Sequence, residues 1–221
     1  MKKLLLSAAT FMTLLSSAQE TEPASNGKIF AIANAGYAWR VAEKPANDHT
    51  GFRKHVDALS SGFNYDLNLY YRLGNSTALG LKYNQFNSSA TTTVTLPDGN
   101  GGLATGTLNS KDQIYFIGPS ILVQYFDNQS PHRFFYDMAI GYMGYKDVSN
   151  NVEIKGGNLG LVADVAYHYA FNQHFSVGPQ LGFSIATLKK LKIDGQELTL
   201  EEGSYEGLGK LILSLGAAYR F

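Results

Sequence analysis

The 221-residue chain contains no cysteine. That absence excludes disulfides, thiolate metal sites, cysteine nucleophiles and a lipidated cysteine anchor. Charge of one sign is also missing. Eighteen Lys and Arg balance eighteen Asp and Glu, so the sequence carries neither a basic footprint for nucleic acid nor an acidic tail. Long apolar runs are nearly absent. Only "LLLSAATFMTLL", Leu4 to Leu15, approaches one, and it falls short of the roughly 20 residues a transmembrane helix needs. There is no phosphate-binding loop, dinucleotide fingerprint or nucleophile elbow, and no histidine has a metal-ligand spacing partner. The sequence therefore gives no expectation of a cofactor, a metal or a catalytic residue.

What is present begins with export. Lys2 and Lys3 precede the Leu4 to Leu15 stretch, and Ser16-Ser17-Ala18 supplies small residues before a cleavage point after Ala18. Residues 1–18 read as a signal peptide, 19–27 as a polar leader, and 28–221 as one domain. The rest of the chain alternates. In "SGFNYDLNLYYRL" the odd positions Phe63, Tyr65, Leu67, Leu69, Tyr71 and Leu73 are apolar, against Gly62, Asn64, Asp66, Asn68 and Arg72. A period of two means an extended strand with one apolar and one polar face. The same pattern recurs from Lys28, Thr77, Lys111, His132, Asn158, His174 and Glu206, giving eight strands in all.

The joins alternate in length. "GNS", "DNQSP" and "NQH" are short, whereas 42–60, 88–110, 147–157 and 188–205 are long. Short turns at one end, long loops at the other and an even strand count are the pattern of an outer-membrane barrel. Asp-Gly within Thr91 to Gly102 and within Leu191 to Leu200 predicts protruding hairpins. Lipocalins also have eight strands, but with apolar residues inside. Here the polar face is rich in Gly, Ser and Ala, which suits a narrow interior. The apolar face gathers aromatics near strand ends, as membrane girdles do. The expected fold is all-β: an eight-stranded antiparallel up-and-down transmembrane β-barrel with lipid outside.

The closing segment "LILSLGAAYRF" resembles the assembly signal of bacterial outer-membrane barrels, with Tyr219 and Phe221 as its aromatic positions. Over Lys28 to Phe221 the chain resembles small outer-membrane barrels of the OmpA, OmpX and OmpW type. The resemblance implies residence in the bacterial outer membrane among its lipids and lipopolysaccharide. It also implies biogenesis through periplasmic chaperones and the barrel-assembly machinery, and a monomer.

Parity then assigns the interior. Arg40, Asp66, Arg72, Lys82, Asp137, Asp164, His168, Lys210 and Arg220 face the lumen. Unpaired charges in a narrow interior are costly, so these are expected to pair into a structural plug. Ile114, Phe116, Met143 and Val162 share that parity and form a possible apolar pocket near the outer end. Pro119 and Pro179, each in a Gly-Pro step, are expected to produce bulges and a lateral gap. The expected function is a plugged, non-enzymatic barrel that presents surface hairpins. Its rival is a narrow channel or a conduit for hydrophobic solutes. A lipid-A-modifying enzyme is the third class; it would need His, acid and hydroxyl groups converging at the loop end, where Asp48, His49, His55, Asp57, Ser60 and Ser61 lie.

Overall fold

The computed structural model describes residues 27–41, 50–97, 102–124, 130–200 and 205–221. The expected signal peptide and all but the last residue of the leader lie outside these, as do Asp48, His49 and the Asp98-Gly99 turn. Eleven strands and one helix follow in chain order. They are β1 (Ile29–Arg40), α1 (Thr50–Leu59), β2 (Ser61–Arg72), β3 (Thr77–Pro97), β4 (Leu103–Gln124), β5 (His132–Ser149), β6 (Val152–Ala170), β7 (Phe175–Leu188), β8 (Lys190–Ile193), β9 (Gln196–Thr199), β10 (Glu206–Gly207) and β11 (Lys210–Arg220).

Every sequential long strand pairs antiparallel with the next, β7 pairs with β11, and β11 pairs with β1. The sheet therefore closes into an eight-stranded barrel, which removes its edges. Alternation dictates the two faces. On β2 the even residues Asn64, Asp66, Asn68 and Tyr70 are buried, while Leu67 and Leu69 are more than half exposed at 54% and 55%. The same reversal holds around the ring: Leu81, Ile121, Met138, Leu161, Val165, Leu181, Leu213 and Leu215 all point outward. A continuous apolar belt of this size is foreign to a water-solvated monomer and requires hydrocarbon around it. Tyr71, Phe134, Tyr136, Tyr169, Phe171 and Phe221 are exposed at the end where the termini meet. Tyr37, Trp39, Phe63 and Tyr142 are exposed toward the other end. On β4 the outward apolar residues run from Tyr115 to Val123, which marks the membrane-spanning part of that strand.

Two expected hairpins are present. β3 and β4 stay in register out to Pro97 and Leu103, and β8 and β9 are joined by Asp194 and Gly195, both at positive φ (46° and 87°). Three expectations need correction. Residues 147–157 are not a long join: β5 and β6 pair as far as Ser149 with Val152, around Asn150 and Asn151 at φ 44° and 74°. Two positive φ values make the tight turn that suits twisted strands, and asparagine tolerates them better than other side-chain residues. Residues 42–60 are not wholly loop, because α1 occupies 50–59 and turns Phe52, Val56 and Leu59 to one side. Finally, neither proline makes a bulge. The β4–β5 register is the same before Gly118 and after Pro119, and the β6–β7 register the same on either side of Gly178 and Pro179. Each proline interrupts one ladder locally while its strand stays fully paired on the other side. The lateral gap is absent as well. A Cβ on Gly118 would lie 2.3 Å from the Ile140 carbonyl oxygen, and one on Gly178 would lie 1.9 Å from that of Tyr167.

Candidate functional site

The inward side chains fill the lumen in layers. Nearest the termini, Phe30, Ile32, Tyr70, Ala78, Leu122, Phe135 and Ala166 form an apolar layer, with the Phe30 and Tyr70 rings stacked at 5.1 Å. Toward the outer end a second apolar layer gathers Phe86, Ile114, Phe116, Met143, Val162, Leu188, Leu208 and Ile212. The four residues of the possible pocket sit in this second layer at 0–3% exposure, packed against one another. The sequence pattern brings them together as a plug rather than as the lining of an open space.

A polar belt separates the two layers. Asp137 and Asp164 are direct cross-strand partners on β5 and β6, an arrangement that repels. Lys82 reaches across from β3 and resolves it, with Nζ 2.7 Å from Asp137 Oδ2 and 2.8 Å from Asp164 Oδ2. Lys82 also donates to Asn68 Oδ1, and Ser120 donates to Asp137. Asp66 is held by donors instead of a cation: Asn34 at 2.5 Å, Asn68 at 2.7 Å and Gln180 at 3.4 Å. Lys210 donates to Asn84 Oδ1 at 2.9 Å and lies 5.6 Å from the Phe86 ring centroid. Each of these charged groups is at most 4% exposed. Charges so buried are tolerated only when paired or fully hydrogen-bonded, and a belt of this kind fixes the barrel's register.

The remaining lumenal candidates lie elsewhere. His168 is fully buried nearer the termini, edge-on to Phe135 at 4.9 Å and 3.4 Å from Ser176 Oγ. Arg72 is outside the belt: its Nε donates to the Gly74 carbonyl at 2.7 Å and holds the β2–β3 turn. Arg220 lies at the mouth beside Arg133 and His174, whose Nδ1 meets the Arg220 carbonyl oxygen at 2.8 Å. Tyr219 and Phe221, the assembly-signal aromatics, pack edge to face at 5.1 Å on the outer surface.

Arg40 belongs to the outer rim. It binds Asp112 at 3.0 Å and Glu206, and its guanidinium lies 5.8 Å from the Tyr145 ring centroid. Beside it α1 closes over a cavity of about 200 Å3, lined by Phe52, His55, Val56 and Leu59 from the helix and by Ser110, Asp112, Tyr145, Asp147 and Ser149 from the barrel. His55 is 2% exposed, and its Nε2 sits 2.8 Å from Ser110 Oγ. Ser110 Oγ is 2.5 Å from Ser149 Oγ, which donates to Asp147 Oδ1 at 2.8 Å. Burial holds the His55 imidazole below its usual range, against the field of Asp147. Asp112 lies above the membrane-spanning part of β4. Burial first, then a hydrogen bond shared with Asp147, pushes its carboxyl up to about 7 against the pull of Arg40.

Sequence reading singled out His55 but not Ser110, Ser149 or Asp147. Their inward parity on β4 and β5 was readable, but which rung faces a loop histidine was not. The chemistry follows from counting protons. With Asp147 a carboxylate, Ser149 donates to it, so Ser110 must donate to Ser149, and His55 Nε2–H must donate to Ser110. All donors point toward the acid. This is an arrangement that clamps α1 to the rim, and it does not leave Ser110's proton on the imidazole as a nucleophile would require. Among the described residues no group of three or more His, Asp or Glu could hold a metal.

No family model and no curated protein matches the sequence. Solved structures do match the fold. Neisserial surface protein A aligns over 90% of this chain and all of its own, with TM-score 0.58 and 14% identity. The outer membrane protein OprG from Pseudomonas aeruginosa aligns over 88% of this chain and 98% of its own, with TM-score 0.52 and 11% identity.

Proposed function

Starting from an eight-stranded barrel of the bacterial outer-membrane type, we propose that this chain is a plugged, non-enzymatic membrane scaffold that works through its outward end. The observation that carries this reading is the layered lumen: a charged belt neutralised across the interior by Lys82, Asp137 and Asp164, with a packed apolar layer on each side. An ion would have to cross two apolar layers and displace Lys82 from two carboxylates, and a hydrophobic solute would have to cross the belt. The closed contacts at Gly118 and Gly178 weigh against a lateral exit. What the molecule offers its surroundings is the β3–β4 hairpin, the β8–β9 hairpin and the α1-covered rim. Outer-membrane lipid and external surfaces are the proposed partners, and the proposed state is a monomer inserted by the barrel-assembly machinery. Single-channel recording of the refolded chain in a planar bilayer tests the plug. A silent, demonstrably folded protein is expected, and discrete reproducible steps would overturn the reading.

A second reading, a rim serine that attacks an ester, would need the His55–Ser110 hydrogen bond reversed, with Ser110 donating to the imidazole. A fluorescent alkyl fluorophosphonate, which transfers its phosphonyl group to an activated serine and releases fluoride, separates the two. Labelling that disappears in Ser110→Ala would establish the serine as a nucleophile, whereas an unlabelled protein leaves the clamp.

A further inference from the structure

Above the apolar belt, one sector of the outer surface is basic although the whole chain is neutral. Lys146 on β5 is the direct cross-strand partner of Lys155 on β6, and Lys155 is the direct partner of Lys192 on β8. These three residues share the outward face, so three like charges stand side by side on adjacent strands. Strands lie about 4.8 Å apart, and like charges directly opposite one another destabilise a sheet. Lys190 stands one outward position closer to the membrane on β8. Against these four cations the described residues set two carboxylates. Glu153 bridges Lys146 and Lys155 at 2.8 and 2.5 Å, and Glu197 pairs with Lys190 at 2.7 Å. Lys192 makes no ion pair within 4 Å among the described residues; its direct partner on β9 is Glu197, whose carboxylate is taken by Lys190.

The depth of this row matters as much as its charge. Directly below it the outward rung is Tyr115, Gly144 and Gly157; below that it is Ile117, Tyr142 and Leu159, which face hydrocarbon. The two glycines leave room for the tyrosine rings to lie flat over them. A Cβ on Gly144 would fall 2.3 Å from the Tyr115 ring, and one on Gly157 would fall 2.0 Å from the Tyr142 hydroxyl oxygen. The tyrosines therefore lie over the glycines and form a shelf. Between that shelf and the lysines runs a groove of about 380 Å3, bounded by Tyr115, Tyr142, Lys146, Lys155, Lys190 and Lys192, with Glu197 the one carboxylate in its lining, set against four lysines. Two rungs above the last hydrocarbon-facing row is roughly 14 Å along the strand, the level of lipid headgroups and not of free solution.

We propose that this groove binds the phosphorylated headgroup of an outer-leaflet glycolipid, with the lysine row on the phosphate and the tyrosine shelf against the sugar and the start of the acyl chains. The phosphate supplies the negative charge that the row lacks, and tyrosines are suited to a boundary that is apolar below and wet above. The inference rests on the membrane orientation of the barrel and is independent of whether the lumen conducts.

The test uses the refolded full chain in phosphatidylcholine nanodiscs doped with bis-phosphorylated lipid A, the same lipid A with its phosphates removed, or phosphatidylglycerol. Lipid retained after detergent release is counted by native mass spectrometry. Preferential retention of the phosphorylated glycolipid is expected. Joint replacement by Lys146→Gln, Lys155→Gln and Lys192→Gln should cut it about tenfold, and Lys28→Gln at the opposite mouth should leave it unchanged. Equal retention of the dephosphorylated lipid would overturn the phosphate contact. Equal retention of phosphatidylglycerol would overturn the glycolipid assignment, and undiminished binding in a folded triple variant would overturn the site.

Discussion

Lys82 is the residue on which the interior depends most. Removing it strands two carboxylates that face each other across adjacent strands, and breaking a buried ion pair from one side costs about 3–5 kcal/mol. Lys82→Met should therefore lower the unfolding free energy of the refolded barrel, read by guanidinium titration in micelles, by that amount, and adding Asp137→Asn and Asp164→Asn should recover most of it. His55 gives a second prediction, with the opposite charge chemistry. Its imidazole is held below its ordinary range in the docked helix, so the undocked helix binds a proton more readily. Docking is complete above the free imidazole's value near 6.5 and is lost as pH falls through the docked value. Amide protection factors in residues 50–59, measured against the intrinsic exchange rate at each pH, should fall on acidification, and His55→Gln should flatten that dependence. Parity alone was enough to place Asp66, Lys82, Asp137, Asp164 and Lys210 inside. It could not pair them, because the partner across a lumen depends on the stagger of the strands, which alternation does not encode. The same limit put Arg72 in the wrong company. It has inward parity, but it stands at the last residue of β2, where a turn carbonyl is closer than any lumenal group.

The strands were legible because each repeats its pattern for ten residues or more, and Asp194-Gly195 announced its own hairpin. The tight turn at Asn150 and Asn151 was not legible. Asn-Asn is a weaker turn signal than Asn-Gly, and the flanking strand ends mix polar and apolar residues on both faces, with Val148 on one and Val152 and Ile154 on the other. Asn151→Val should cost about 1–2 kcal/mol, since a β-branched residue resists positive φ, and Asn151→Gly should not. Urea unfolding of the two variants would separate them. α1 carried a readable clue in Phe52, Val56 and Leu59 at helical spacing, but ten residues inside a polar join are too few for periodicity to declare itself. The β3–β4 hairpin stands largely clear of the barrel wall. Replacing residues 92–108 by Asn-Gly should leave the heat-modifiable gel mobility of the folded barrel intact, because Thr91 and Asn109 already pair at its base.

Taken whole, the molecule inverts the soluble arrangement: its apolar belt faces outward and its charges meet in the middle. Two apolar layers in series should make the lumen tolerant of damage. Phe116→Ala opens one layer and Phe135→Ala the other, and bilayer recordings of either variant alone should remain silent because the second layer still seals. The barrel and its outward apolar face were readable from alternation and the missing apolar runs, since each follows from local pattern. The layering was not, because it arises from which inward side chains share a height, and that is a property of the closed ring.

Closure also sets an order in time. β1 finds one of its two neighbours just downstream, in β2, but the other, β11, is the last strand of the chain. Joining Phe30 to Arg220 ties off a loop of nearly the whole polypeptide, the most expensive search the chain makes. Until that clasp shuts, the outer edges of β1 and β11 offer unpaired amides to any strand that passes. For as long as that search lasts, the same amides that will seal the ring are what a second unfinished copy could pair with.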